Sequence, residues 1–359
     1  MTLKLTGQCP NRREQIMAYL TEFGQRCNDQ TIRLGDLSQE ETSNFSLSYV
    51  NPKNSMEENE LFIFNLSSHA ELQLLQRLKV PVSYFHRCPV NLQITQTDHW
   101  LHNTFANKEM TFRTIDGNQV RAALTNRYVP MDDLVIFPEI LTSLAEARQD
   151  LLIRSFYKDN DFTLLRSVYT DLTVISPNDP NRHYWAGIEV RNSETGMSAL
   201  WISPVIRSGR TDIGVAYDFL DSNKEGGTRL LHVKPKEDRE TIDNAIKTAL
   251  KTAQAAISHL IQMESVVIEN PAQELKNFAE ITDHVPNRLI DILITEYEHT
   301  LQMKKLAFAE VILNAVKDLP VFSKRMAEAE VGRYLNLFED TDERIDAILE
   351  NHITVNTSL

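Results

Sequence analysis

Glycine and cysteine are both scarce in this chain. Its 359 residues hold 11 glycines and three cysteines. No glycine loop of the GxGxxG or GxxxxGK[ST] kind occurs, so nothing supports a dinucleotide-binding or ATPase site. HExxH and GxSxG are absent as well. Cys9, Cys27 and Cys88 are odd in number and share no CxxC spacing, which argues against a disulfide framework and a structural zinc site. His86-Arg87-Cys88 is the nearest approach to a metal-ligand fragment, and no two histidines stand four apart. Neither a metal nor a cofactor is expected. No apolar run reaches the length of a signal peptide or membrane span, which predicts a cytoplasmic protein with no membrane partner.

What is present is charge, unevenly spread. The net charge is −13, which argues against a general nucleic-acid coat. Acidic residues dominate from Lys236 onward. Between Leu72 and Pro130 the sign reverses: Arg77, Lys79, Arg87, Lys108, Arg113, Arg121 and Arg127 face only Asp98, Glu109 and Asp116. A basic island in an acidic protein is either a binding face or a chance cluster on a solvated surface.

Hydrophobic spacing predicts a helix over 11–26, a polar loop over 35–60 and a strand at Leu61–Leu66. Ser68-His69-Ala70-Glu71 matches a capping box opening a helix that stops before Pro81. A hairpin, Met110–Ile115 and Gln119–Leu124, turns at Asp116-Gly117-Asn118. Pro138 suits the first turn of the next helix. Strand patterns follow at Thr163–Ile175, His183–Arg191, Ala199–Ile206, Asp212–Phe219 and Arg229–Val233, with connections short enough for an antiparallel meander. A long amphipathic helix spans Glu240–Met263, and Asn270-Pro271, Val285-Pro286, Leu319-Pro320 and Asp340-Thr341-Asp342 divide the remainder. The expected fold is α+β: a twisted antiparallel sheet backed by helices, then an acidic helical module. The expected divisions are 1–60, 61–235 and 236–359.

Three segments carry a resemblance: Leu75–Pro89 (LQRLKVPVSYFHRCP), Val120–Ile136 (VRAALTNRYVPMDDLVI) and Gly187–Leu200 (GIEVRNSETGMSAL). In order and spacing they resemble the phage/plasmid-like protein family called domain of unknown function 932, over about residues 60–235. Thr125 stands where that family usually has Ser, and Arg207-Ser208-Gly209-Arg210 replaces its usual Arg followed by Cys-Asn-Gly. The resemblance implies a mobile-element setting and no established activity.

Two groups of residues carry the functional expectation. Tyr84, Phe85 and Arg87, with Arg113, Arg121, Arg127 and Tyr128, combine phosphate-neutralising guanidinium groups with rings that stack on bases, or else the aromatics are core anchors. Asn192, Ser193, Glu194 and Gly196 form either a turn or a loop presenting amides and a hydroxyl to a phosphate. The leading expectation is a nucleic-acid-binding protein of mobile-element DNA metabolism, with single-stranded DNA favoured, self-association open and no catalytic residue. A non-catalytic assembly protein using its acidic helices is the first alternative. A metal-dependent nuclease using Asp179 and Glu189 is the second, weakened by Arg191 standing where a proton-accepting lysine is usual. Glu189 and Arg191 are expected on one exposed strand face.

Overall fold

The computed structural model describes residues 3–6, 12–41, 45–50, 61–220, 227–230 and 239–338. In chain order, β1 (Leu3–Thr6) and α1 (Arg12–Gln25) precede β2 (Cys27–Arg33), β3 (Leu37–Glu40), β4 (Ser46–Val50) and β5 (Leu61–Leu66). Next come α2 (Ser68–Arg77), α3 (Val82–Phe85) and α4 (Val90–His99), the hairpin β6 (Glu109–Ile115) and β7 (Gln119–Thr125), and α5 (Asp133–Ala147). The long strands β8 (Leu151–Lys158), β9 (Thr163–Ile175), β10 (Arg182–Asn192), β11 (Leu200–Arg210) and β12 (Val215–Leu220) follow, then β13 (Thr228–Leu230). The chain continues with α6 (Arg239–Met263), β14 (Val267–Ile268), α7 (Pro271–Ile281), α8 (Asn287–Glu296), β15 (Met303–Lys304), α9 (Lys305–Ala315) and α10 (Val321–Tyr334).

The fold is α+β. One sheet runs in the order β2-β6-β7-β5-β4-β3, antiparallel apart from the β5–β7 pair. A second runs β1-β8-β9-β10-β11-β12, with β13 also paired to β11, and is antiparallel throughout. Each sheet has its own core. Leu47, Phe64, Phe112 and Leu74 pack with Phe85 under the first. Tyr169, Tyr184, Ile188, Ile202 and Phe219 line one face of the second, covered by α1, α5 and α6. Period-2 alternation sends the other side chains of those strands, including Arg166, Glu189 and Arg207, to the opposite face.

Several expectations meet the structure closely. The meander is present, and β9 has the expected bounds. Asp116 and Gly117 both take positive φ (54° and 88°) in the hairpin turn. Asn270 caps α7 by accepting from the Gln273 amide. Others are corrected. The cap of α2 is Ser67, whose hydroxyl accepts from the Ala70 amide, one residue before the expected Ser68. Asp132 precedes α5, so Pro138 lies inside that helix and not in its first turn. The polar stretch 35–60 contains β3 and β4, half-polar strands that lack a strong apolar signal. Because β2, β3 and β4 pair into one sheet with β5–β7, no structural division falls at residue 60. Ile242, Ile246, Leu250 and Ile257, the stripe of α6, sit in the same core as the second sheet. Cys9, Asn51-Pro52, Lys224-Glu225-Gly226, Leu231–Val233, Pro235 and Asp340-Thr341-Asp342 lie outside the described residues. No helix among the described residues is long and apolar enough to cross a membrane.

Candidate functional site

The second and third resembling segments meet where the two sheets join. Glu194, just past β10, is 8% exposed and sits at the centre. Its Oε2 accepts from Arg121 Nη1 and Lys158 Nζ, both at 3.2 Å, and its Oε1 accepts from the Asp133 amide at 2.9 Å. Lys158 also donates to Asp133 Oδ2 at 2.6 Å, and Thr163 donates to the same oxygen. Asn192 Nδ2 donates to Asp133 Oδ1 at 2.7 Å. Phe23 of α1 closes the cluster, with Lys158 Nζ 4.2 Å from its ring centre. Arg113 donates to the Glu194 carbonyl at 2.8 Å and is held by Asp29 and Asp132. The first sheet thus supplies Arg113 and Arg121, the second Lys158, Thr163 and Asn192, and α5 Asp133.

Local backbone geometry aims these groups. Arg121 is the extra residue of a β-bulge in β7, which turns its side chain out of the strand's alternation. Gly196 has φ +78°, a left-handed conformation disfavoured for residues with a Cβ. A Cβ on Gly187 would stand 2.2 Å from the Ser167 carbonyl oxygen, so only glycine fits this cross-strand approach. Ser193 is fully buried, donates to the Asp161 carbonyl at 2.6 Å and accepts from the Met197 amide at 3.1 Å. The loop therefore behaves as the turn alternative required. The Ser193 hydroxyl is engaged by the protein's own backbone.

Burial alone would raise the Glu194 carboxyl, but Lys158 and Arg121 hold it at about 2. A carboxyl held below its ordinary value stabilises the fold fully above the unfolded value, and that contribution fades as pH falls toward the folded value. Between about pH 5 and pH 3, wild type is expected to lose more stability than Glu194→Gln, which has no proton to take up at that position. Equal acid slopes in urea unfolding of the two proteins would contradict this assignment.

The seven residues nominated as a binding face do not form one. Arg113 and Arg121 are 4% and 2% exposed and paired with carboxylates, so they present no charge to solvent. Phe85 is fully buried under the first sheet. Tyr84 and Arg87 are exposed on and just after α3. Arg127 and Tyr128 line a shallow groove of about 370 Å³ between α2 and β7, together with Gln73, Gln76, Arg77 and Gly196. Among the described residues no carboxylate lines this groove. The Tyr128 hydroxyl donates to the Glu194 carbonyl at 3.0 Å, and Gln73 Nε2 donates to the Thr195 carbonyl at 2.9 Å, so the buried cluster supports the groove floor. Arg77 Nε is buried without a partner among the described residues. Beside the groove, Lys79 holds the left-handed position (φ 59°) that ends α2, where glycine is the usual residue.

Asp179 and Glu189 do not make a shared site. Asp179 pairs with Arg210 at 3.0 Å, in the turn before β10. Glu189 lies well along β10 from Arg182, and seven residues of strand correspond to about 23 Å. Contrary to expectation, Glu189 is 1% exposed: its carboxylate accepts from Arg325 at 2.6 Å and Arg166 at 2.9 Å. Against burial, these two arginines keep its pKa below the ordinary value. No group of three or more metal-ligating side chains occurs among the described residues.

Lys158, Asp133, Asp132, Thr163 and Gln73 were not singled out from the sequence, and Arg77 only as part of the basic island. One signal was available for Lys158: in LLIRSFYK it follows Phe156 at strand spacing, a lysine on a core-facing position that demands a buried partner. No family model matches the chain, and no curated protein or solved structure is significantly similar to it.

Proposed function

We propose that the protein binds single-stranded nucleic acid along the groove between α2 and β7, as part of mobile-element DNA metabolism in the cytoplasm. The observation that carries this reading is the groove holding Arg77 and Arg127 with no carboxylate among its described lining residues, in a chain of net charge −13. Neither guanidinium has a carboxylate partner among the described residues. Free guanidinium groups neutralise phosphates and stack on bases, while Gln73, Gln76 and Tyr128 add donors, acceptors and a ring. Exposed Lys79, Tyr84 and Arg87 extend cationic and stacking groups beyond the end of α2. The shallow opening suits an unpaired strand whose bases are free to turn inward. The mobile-element setting rests on the resemblance of the three segments, all of which contribute to the groove.

The test is fluorescence anisotropy with labelled single-stranded and duplex DNA and RNA over a salt series. Saturable binding that favours single strands and weakens with salt is expected. No binding at low salt to any of the four would overturn the reading.

A further inference from the structure

A second cationic cavity shares no lining residue with the groove. The polar face of the second sheet and the segment joining α9 to α10 enclose about 480 Å³. Arg154, Arg166, Arg207, Lys317 and Lys324 line it. Among the described residues the only carboxylates on its wall are Asp218 and Glu328, and both are already engaged. Asp218 accepts from Arg207 at 2.9 Å and Arg166 at 3.2 Å. Glu328 accepts from Arg166 at 2.6 Å and lies 3.7 Å from Lys324.

Two cations are left over. Lys317 is exposed and, among the described residues, donates only to the neutral Asn314 side chain at 3.3 Å. Arg154 is the extra residue of a β-bulge in β8, so its side chain leaves the strand's alternation as that of Arg121 does on β7. The bulge is fastened from behind by Arg12, which donates to the Ile153 and Arg154 carbonyls at 2.5 and 2.6 Å. Arg154 has no ion-pair partner among the described residues, and its Nε is buried without an acceptor. Burial first, then the neighbouring Arg207, pulls its pKa below the usual arginine value. A buried N–H lacking an acceptor, beside like charge, is the environment that a bound anion relieves.

We propose that this cavity is a binding site for a phosphate-bearing small molecule, with Arg154 and Lys317 as the groups that hold the phosphate. Arginine matches the oxygens of a phosphate with its fork of donors, and lysine adds a point charge. The cavity is larger than an inorganic phosphate needs, and Tyr157 and Tyr217 on its wall leave apolar surface for an attached organic group. This site is separate from the groove that carries Arg77 and Arg127, so the two stand or fall independently.

The test is calorimetric titration of the full chain with inorganic phosphate, pyrophosphate and adenosine monophosphate, at matched ionic strength. Saturable binding of at least one is expected. Arg154→Gln should weaken it tenfold or more, and Lys317→Gln, at an exposed position that leaves the fold intact, by several-fold. Arg127→Gln should leave it unchanged. Tighter binding of adenosine monophosphate than of inorganic phosphate assigns the rest of the cavity to the organic group, whereas equal binding assigns the site to the phosphate alone. Absence of saturable binding by all three, or binding indifferent to both Arg154→Gln and Lys317→Gln, overturns the proposal.

Discussion

Glu194→Ala is expected to destabilise the protein by roughly 3–5 kcal/mol, the range for removing one partner of a buried ion pair. The carboxylate is the shared acceptor for Arg121, Lys158 and the Asp133 amide. Without it, Arg121 keeps, among the described residues, a 3.3 Å bond to the Asn160 carbonyl and the Phe23 ring, and no carboxylate. A buried charge left unpaired costs far more than the pair contributed net. Because small folds are stable by only about 5–15 kcal/mol, this loss is a large fraction of the total. The cluster also joins two sheets with separate cores, so the variant is expected to unfold in two steps where wild type unfolds in one. Urea unfolding followed by circular dichroism reads both effects. A midpoint equivalent to less than about 1 kcal/mol of change would mean that the cluster is not the joint between the sheets.

Glu189→Ala is expected to have an effect of the same order, roughly 3–5 kcal/mol. Its loss leaves Arg166 and Arg325 without their common acceptor, close to Arg191, whose pKa burial and Arg325 already lower to about 10. Arg166 retains Asp218 and Glu328, but Arg325 has no other carboxylate partner among the described residues. The same variant separates a structural carboxylate from a catalytic one. A structural role gives a large drop in unfolding midpoint. An unchanged midpoint, with loss of a magnesium-dependent DNA cleavage seen in wild type, would make Glu189 a nuclease residue.

The readable parts of the fold were those with local signals. The meander, the α6 stripe and the Asn270 cap follow from spacing or capping chemistry within a few residues. The two-sheet architecture was not readable, because β3 and β4 are short and half-polar and their partners lie far along the chain. The site shows the same division. Glu194, Asn192, Arg121 and Tyr128 stood out as residues, yet their role depends on burial, and sequence cannot tell a buried arginine paired across 73 residues from an exposed one. Arg113 and Arg121 therefore counted toward a basic surface that they do not occupy. Arg77 was visible as charge, but only the packing of α2 against β7 places it beside Arg127.

The binding reading is tested most directly by the salt dependence of single-stranded DNA affinity in wild type and in Arg77→Gln/Arg127→Gln. Each phosphate contact on a single strand contributes about 0.7 to the slope of log affinity against log salt. Loss of two contacts should lower the magnitude of the slope by about 1.4, with weaker binding for every sequence and no change in the unfolding midpoint. An unchanged slope and affinity in a folded double variant would contradict the account and remove the groove between α2 and β7 as the nucleic-acid site.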